Sequence, residues 1–108
     1  MTEELTPPDH LREHGARLWR EIATEYEIDD SAGLALLTTA CECLDRVRAA
    51  QVAIDRDGEI VPDRYNVPKA HPACDLEKSA RTGFMAALKQ LNLDIEPLRD
   101  RPGRPPNS

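Results

Sequence analysis

The residues with the best spacing for chemistry are the two histidines and the glutamate of the segment His10-Leu11-Arg12-Glu13-His14. On a helix, the two histidines lie one turn apart and can share a zinc ion, with the glutamate as general base, as in zinc peptidases with an H-x-x-E-H motif. That chemistry also needs a third ligand, a substrate cleft and supporting contacts around the ligands. A helical chain of 108 residues leaves little room for them. We therefore expect no metal at His10 and His14, and a zinc hydrolase ranks third among the hypotheses below.

The three cysteines, Cys41, Cys43 and Cys74, do not indicate a metal or redox centre either. Helix positions i and i+2 point about 200° apart, so the sulfurs of Cys41 and Cys43 cannot easily reach one ion. His71 and Cys74 are better spaced but supply only two ligands. The chain contains no glycine-rich phosphate loop, no G-x-S-x-G motif and no dinucleotide fingerprint. The sequence predicts a protein that is not an enzyme and has no cofactor.

Basic side chains that could contact nucleic acid occur in two places. Arg64 and Lys69 lie between the second and third predicted helices, and Arg99, Arg101 and Arg104 lie near the C-terminus. The whole chain is acidic, with 20 acidic and 14 basic side chains and a net charge of −6, which argues against non-specific coating of nucleic acid. In a ring or dimer each cluster is repeated, so that modest patches can form a basic belt.

The element that organises the chain is a long helix predicted between Asp30 and Arg56. Apolar residues recur there at steps of three or four, and Leu34 and Cys41 widen the apolar stripe onto a second flank. At about 1.5 Å per residue the helix is close to 40 Å long, more than the rest of the chain can cover. A second copy of the protein is the expected cover, with an oligomer interface formed by Leu34, Leu37, Cys41 and Leu44.

Two shorter helices flank this long one in the sequence. Helix one is predicted to begin at Thr6–Asp9, capped by Thr6 or Asp9, and to pack on helix two through Trp19. Because the link over residues 27–29 is short, the two helices should be antiparallel neighbours. Helix three is predicted to open at His71-Pro72 and to stop near Asn92.

Residues 59–68 contain two short β-type runs around a polar centre, which predict a short β-hairpin or an extended loop between helices two and three. Pro62 and Pro68 restrict any hairpin there to edge-like pairing. The predicted fold class is therefore mainly α, with a three-helix core of two long antiparallel helices plus a third. The predicted domains are a helical oligomerisation domain over residues 1–93 and an extended, basic, proline-rich tail over residues 94–108.

Several features bear on the compartment. The N-terminus has no basic segment followed by an apolar one, and no apolar run approaches the length needed to span a membrane. The odd number of cysteines shows no disulfide-scaffold spacing. These patterns predict a protein of a reducing cytoplasm that makes no membrane contact.

The order of several segments resembles the small subunit of tailed-phage terminases, in the short branch often seen in prophages. The resemblance covers nearly the whole chain and lies in the order and spacing of Leu11–Trp19, Tyr26-Glu27-Ile28, Leu36–Arg46, Asp57-Gly58, His71-Pro72-Ala73, Leu91-Asn92-Leu93, Glu96-Pro97 and Arg101–Pro106. It implies a DNA-packaging adaptor that forms an oligomeric ring, binds viral double-stranded DNA and regulates a large subunit holding the ATPase and nuclease. It also implies that the protein acts in the cytoplasm of a bacterial host.

One departure from that family limits how DNA could be bound. Many small terminases carry a separate N-terminal helix-turn-helix, whereas residues 1–30 here hold nine acidic side chains against three arginines. Direct DNA contact would then use Arg64, Lys69 and the tail arginines. The alternative hypothesis is a small helical regulator or scaffold that oligomerises without touching DNA, which fits the acidic charge equally well.

Overall fold

The computed structural model of the chain describes residues 5–91. In chain order the elements are α1 (Glu13–Glu25), α2 (Ser31–Asp57), β1 (Ile60–Pro62), β2 (Pro68–Ala70) and α3 (Pro72–Leu91). The mainly α fold with a short hairpin between helices two and three is thus confirmed. Asn92, the expected end of helix three, and the tail at 94–108 lie outside the described residues.

Both ends of α2 form as the local sequence predicts. At the N-terminus, Oδ2 of Asp30 accepts a hydrogen bond from the Gly33 backbone N–H at 2.9 Å, which satisfies a donor that has no partner within the helix. At the C-terminus, Gly58 has a φ of +87° and its N–H donates to the Ile54 carbonyl at 2.7 Å. Glycine accepts this left-handed backbone without the steric cost that a side chain adds.

The start of α1 differs from the prediction. The helix begins at Glu13, after an N-cap at Arg12, and not at Thr6–Asp9. Pro7 and Pro8 are followed by a turn instead of a helix, and in this turn the Leu11 N–H donates to the Pro8 carbonyl at 3.1 Å. Neither Thr6 nor Asp9 caps the helix, because the N-cap residue is Arg12 and its side chain makes no capping hydrogen bond. The cap comes from another helix, as described below.

The central element is α2, which packs against both other helices. Trp19 contacts Thr38, and the Gly15 backbone contacts Asp45. The earlier residue of α1 therefore contacts the later residue of α2, as in antiparallel helices. The same reversal holds between α2 and α3. There the contacting pairs run in chain order as Cys43 with Gly83, Gln51 with Glu77, and Asp57 with His71. Each neighbour of α2 therefore runs antiparallel to it.

The largest hydrophobic cluster lies between α1 and the first half of α2, and the small residues Val47, Ala50, Ala73, Ala80 and Ala87 are buried on α2 and α3. Trp19 is buried with 3% of its surface exposed, and its indole N–H donates to Oγ1 of Thr38 at 3.2 Å. The predicted packing of Trp19 between helices one and two is thus confirmed. The other buried residues of this cluster are Leu11, Ile22, Ala23, Ile28, Leu37 and Cys41. From α3, Leu88 and Leu91 pack against the same cluster.

Candidate nucleic-acid interface

The hairpin presents the two basic residues that the sequence places between α2 and α3. Its strands pair in antiparallel register, Ile60 with Ala70, Val61 with Lys69, and Pro62 with Pro68. Lys69 lies directly opposite Val61 and is exposed, as is Arg64 in the turn. The structure therefore brings Arg64 and Lys69 together on one small hairpin.

One carboxylate organises the turn of this hairpin. Oδ1 of Asp63 accepts hydrogen bonds from the backbone N–H groups of Tyr65 and Val67, at 2.7 and 2.9 Å. The Asp63 N–H donates to the Val67 carbonyl at 2.8 Å, and Asn66 adopts a φ of +63°, a conformation that asparagine tolerates better than most residues. These bonds fix the backbone of the turn within the single chain.

At the tip, the Arg64 guanidinium lies over the ring of Tyr65, 5.2 Å from its centroid. Tyr65 is itself 73% exposed, so the pair stands in solvent. A guanidinium held over an aromatic ring retains its charge and its N–H donors for a phosphate. Glu59 and Asp63 balance the formal charge of Arg64 and Lys69 within the hairpin, so one copy carries no net positive patch.

His71 fastens the base of the hairpin to the ends of α2 and α3. Its Nδ1 accepts from the Ala73 N–H at 2.9 Å, which leaves the ring proton on Nε2, 2.9 Å from Oδ2 of Asp57. Its backbone N–H donates to the Glu59 carbonyl at 2.7 Å. Hydrogen bonds from Arg56 and then from His71 hold the pKa of Asp57 well below its usual range. This network fixes where the hairpin leaves the helical body.

The other predicted DNA contacts, Arg99, Arg101 and Arg104, lie outside the described residues. Two residues of the predicted oligomer interface are buried within the single chain. Leu37 and Cys41 have no exposed surface in the single chain, so their side chains belong to the chain's own core. Burial, with the nearby charges of Asp45 and Glu42, raises the pKa of the Cys41 thiol to about 12. Leu34 and Leu44 are half-buried, and their role in an interface stays a prediction.

The histidine motif does not lie on one helix. α1 begins at Glu13, so His10 precedes it, and Nε2 of His10 lies 2.7 Å from Oε2 of Glu42 on α2. His14 is exposed on α1. Within residues 5–91, no three histidine, cysteine or acidic side chains are grouped closely enough to hold a metal ion. The spacing that suggested a zinc pair is therefore not realised as a helical pair.

Sequence reasoning missed Asp45, which supplies the cap of α1. Its two carboxylate oxygens accept from the backbone N–H groups of Arg12 and Gly15, each at 2.7 Å. A Cβ on Gly15 would overlap Oδ2 of Asp45 and lie 2.7 Å from the Cys41 carbonyl, so only glycine allows this close approach. A signal was present in the sequence, because Asp45 follows Cys41 by four positions and so lies on the apolar stripe.

Within the described part of the chain, no helix is both long enough and apolar enough to cross a membrane. Comparisons with protein-family models, with curated proteins and with solved structures found no match. Function has to be inferred from the residues of the chain itself.

Proposed function

We propose that the protein is a phage DNA-packaging adaptor of the terminase small-subunit type. In this proposal it oligomerises, binds viral double-stranded DNA in the host cytoplasm, and regulates a large subunit that carries the ATPase and nuclease. The order of segments described under Sequence analysis supports the family. The observation that best supports direct DNA contact is the exposed hairpin tip. There the Arg64 guanidinium lies over the Tyr65 ring, and hydrogen bonds to Asp63 hold the turn.

Repetition of the hairpin in an oligomer would supply what one copy lacks. A single hairpin has no net positive charge, but a ring would place several copies of Arg64 and Lys69 around one DNA duplex. The tail arginines Arg99, Arg101 and Arg104 form the densest basic run of the chain and would add further phosphate contacts. Because α2 carries the exposed apolar side chain of Val52 and α3 those of Leu76 and Met85, apolar surface remains for contacts between copies.

A second candidate function is that of an oligomeric regulator or scaffold without DNA binding. It is favoured by the net charge of −6 of the whole chain. In the hairpin, Glu59 and Asp63 balance the positive charges of Arg64 and Lys69, which also favours a protein that does not bind DNA. The two functions share oligomerisation and differ in whether the protein binds DNA.

Both functions require that the purified protein is larger than one chain. We expect light scattering at micromolar concentration to give a mass that is a multiple of 12.1 kDa, because exposed apolar side chains on α2 and α3 favour association. A monodisperse 12.1 kDa species across the concentration range would contradict both functions.

DNA binding is expected to be strongly salt-dependent and to need the tail arginines. Each neutralised phosphate contributes about −0.9 to the slope of log K against log salt concentration. Replacing Arg99, Arg101 and Arg104 together by alanine should therefore flatten the slope by up to roughly 2.7 and weaken binding to all sequences alike. Fluorescence anisotropy titrations with a labelled duplex at several salt concentrations measure both quantities.

Two further variants make this titration decisive. A hairpin variant with Arg64→Ala and Lys69→Ala tests the hairpin contact, for which the slope should flatten by up to about 1.8. A control with Arg20→Ala and Arg48→Ala removes two exposed arginines elsewhere and should leave affinity unchanged. An unchanged slope in the tail variant would exclude the tail as the DNA contact, and absence of binding by the wild-type protein at low salt would favour the regulator.

A further inference from the structure

A cavity of about 480 Å³ lies beside the start of α1. Its walls are residues 10–12, the middle and second half of α2, and the first turns of α3. Neither Arg64 nor Lys69 lines it, so it is separate from the hairpin contact described above. Its volume falls within the range of roughly 300 to 1,000 Å³ that is typical of small-molecule sites.

The cavity exists because α1 covers only part of α2. The start of α1 packs on α2 where the Gly15 backbone meets Asp45, and the helix begins only at Glu13. Ala49 and Ala53 follow Asp45 by one and two turns, so they lie on the same side of α2. Among residues 5–91, no helix covers that side beyond Asp45, and the alanine side chains are too small to fill the space.

The remaining lining of the cavity is largely apolar. Leu11 is buried at the end next to α1, and Ala50 and Ala73 form part of the floor. Leu76 contributes the wall on α3 and is 64% exposed. A ligand with an aliphatic body would take this side chain out of water, and burial of apolar surface drives binding.

Two arginines hold the polar groups of the cavity that remain available. Arg12 and Arg46 line it and are exposed, and neither forms an ion pair within residues 5–91. The two acids of the cavity balance their formal charge but are engaged, since Glu42 contacts His10 at 2.7 Å and Asp45 accepts two backbone hydrogen bonds. A guanidinium offers a planar fork of N–H donors that matches a carboxylate or phosphate. The unengaged donors therefore favour an anionic group.

We propose that this cavity binds a small amphiphile, an aliphatic chain that ends in a carboxylate or phosphate group. The chain lies on the alanine floor against Leu76, and the anionic group accepts hydrogen bonds from Arg12 and Arg46. A few convergent polar groups around an apolar space are what ligand sites in general share. The inference goes beyond the proposed function and rests on neither DNA binding nor oligomerisation.

Titration of the full-length protein with decanoate, kept below its micelle-forming concentration, tests the site. Calorimetry should give saturable one-to-one binding, and the largest amide shifts in NMR spectra of ¹⁵N-labelled protein should fall around Ala49, Ala53 and Leu76. Decanol and decylammonium lack the negative charge and should bind at least about fivefold more weakly. Acetate lacks the chain and should not bind in the same concentration range. Decyl phosphate distinguishes the two anionic groups, because the preferred one binds more tightly.

Two variants with matched controls locate the binding. Ala49→Trp places a large ring at an exposed position that lines the cavity and should abolish decanoate binding, whereas Ala86→Trp makes the same change at an exposed position outside it. Arg46→Gln should weaken binding about fivefold, whereas Arg48→Gln, also exposed on α2, should not. Circular dichroism melting checks that all four variants fold.

Several results would overturn the site. They are the absence of saturable binding, equal affinity for decylammonium, shifts centred elsewhere, and decanoate binding that survives Ala49→Trp. A fall in the mass measured by light scattering as decanoate is added would also overturn it, because a second copy would then be the natural occupant. Failure of the protein to bind DNA leaves the site intact, so the two proposals fail separately.

Discussion

Replacing Trp19 with alanine is expected to lower the free energy of unfolding by about 3–5 kcal/mol, the largest effect of any single substitution considered. Trp19 is 3% exposed and fills the space between α1 and α2. Its removal takes away the apolar surface of the ring and leaves a cavity that two packed helices can close only in part. Urea denaturation followed by circular dichroism measures the loss, since the variant has no tryptophan to report by fluorescence.

A second substitution separates the ring from its hydrogen bond. The Trp19 indole N–H donates to Oγ1 of Thr38 at 3.2 Å. Thr38→Val removes that acceptor and keeps the shape of the side chain, so it should cost only about 0.5–1.5 kcal/mol. A Trp19→Ala protein as stable as the wild type would mean that the side chain contributes no burial energy between α1 and α2.

Replacing Asp45 with alanine should lower the free energy of unfolding by about 2–4 kcal/mol. The carboxylate accepts from the N–H groups of Arg12 and Gly15 at 2.7 Å, and Asp45 is buried. Alanine would leave both donors at the start of α1 without partners, and unsatisfied buried donors are costly. Since Asp45 also lines the cavity beside Arg12, the start of α1 would lose its fixed position there.

Asp45→Asn is the matched control for charge and geometry. Asparagine keeps the shape and one acceptor oxygen, but its amide nitrogen cannot accept from the second backbone N–H. Its stability should lie between those of the wild type and the alanine variant. Thermal melting of the three proteins at one pH tests the order. Equal stability of wild type and Asp45→Ala would contradict the capping role.

Local signals in the sequence predicted much of the helical framework. The apolar stripe from Gly33 to Ile54 gave α2 nearly to the residue, because its cap and stop use contacts within four positions of Asp30 and Gly58. Two short β-type runs around a polar centre predict a hairpin or an extended loop after α2, and the structure forms the hairpin. Trp19 was placed correctly because a large ring on an amphipathic helix has to be buried.

The start of α1 was beyond such reasoning. Thr6 and Asp9 are suitable caps by type, yet the helix begins at Glu13. Two backbone N–H groups at its start, those of Arg12 and Gly15, donate to Asp45, thirty or more positions along the chain. A local pattern identifies residues that can cap, whereas only the packing of α2 against Gly15 decides which carboxylate does so.

The same limit applies to what covers an apolar stripe. Periodicity correctly marked Leu37 and Cys41 as residues that avoid water, but it could not distinguish a second copy from the chain's own helices. The structure buries both completely within one chain and leaves uncovered apolar surface instead around Leu76, beside Arg12 and Arg46. Hydrophobic burial is non-directional: the sequence alone determined which side chains leave water, and the tertiary structure decided which neighbours they meet.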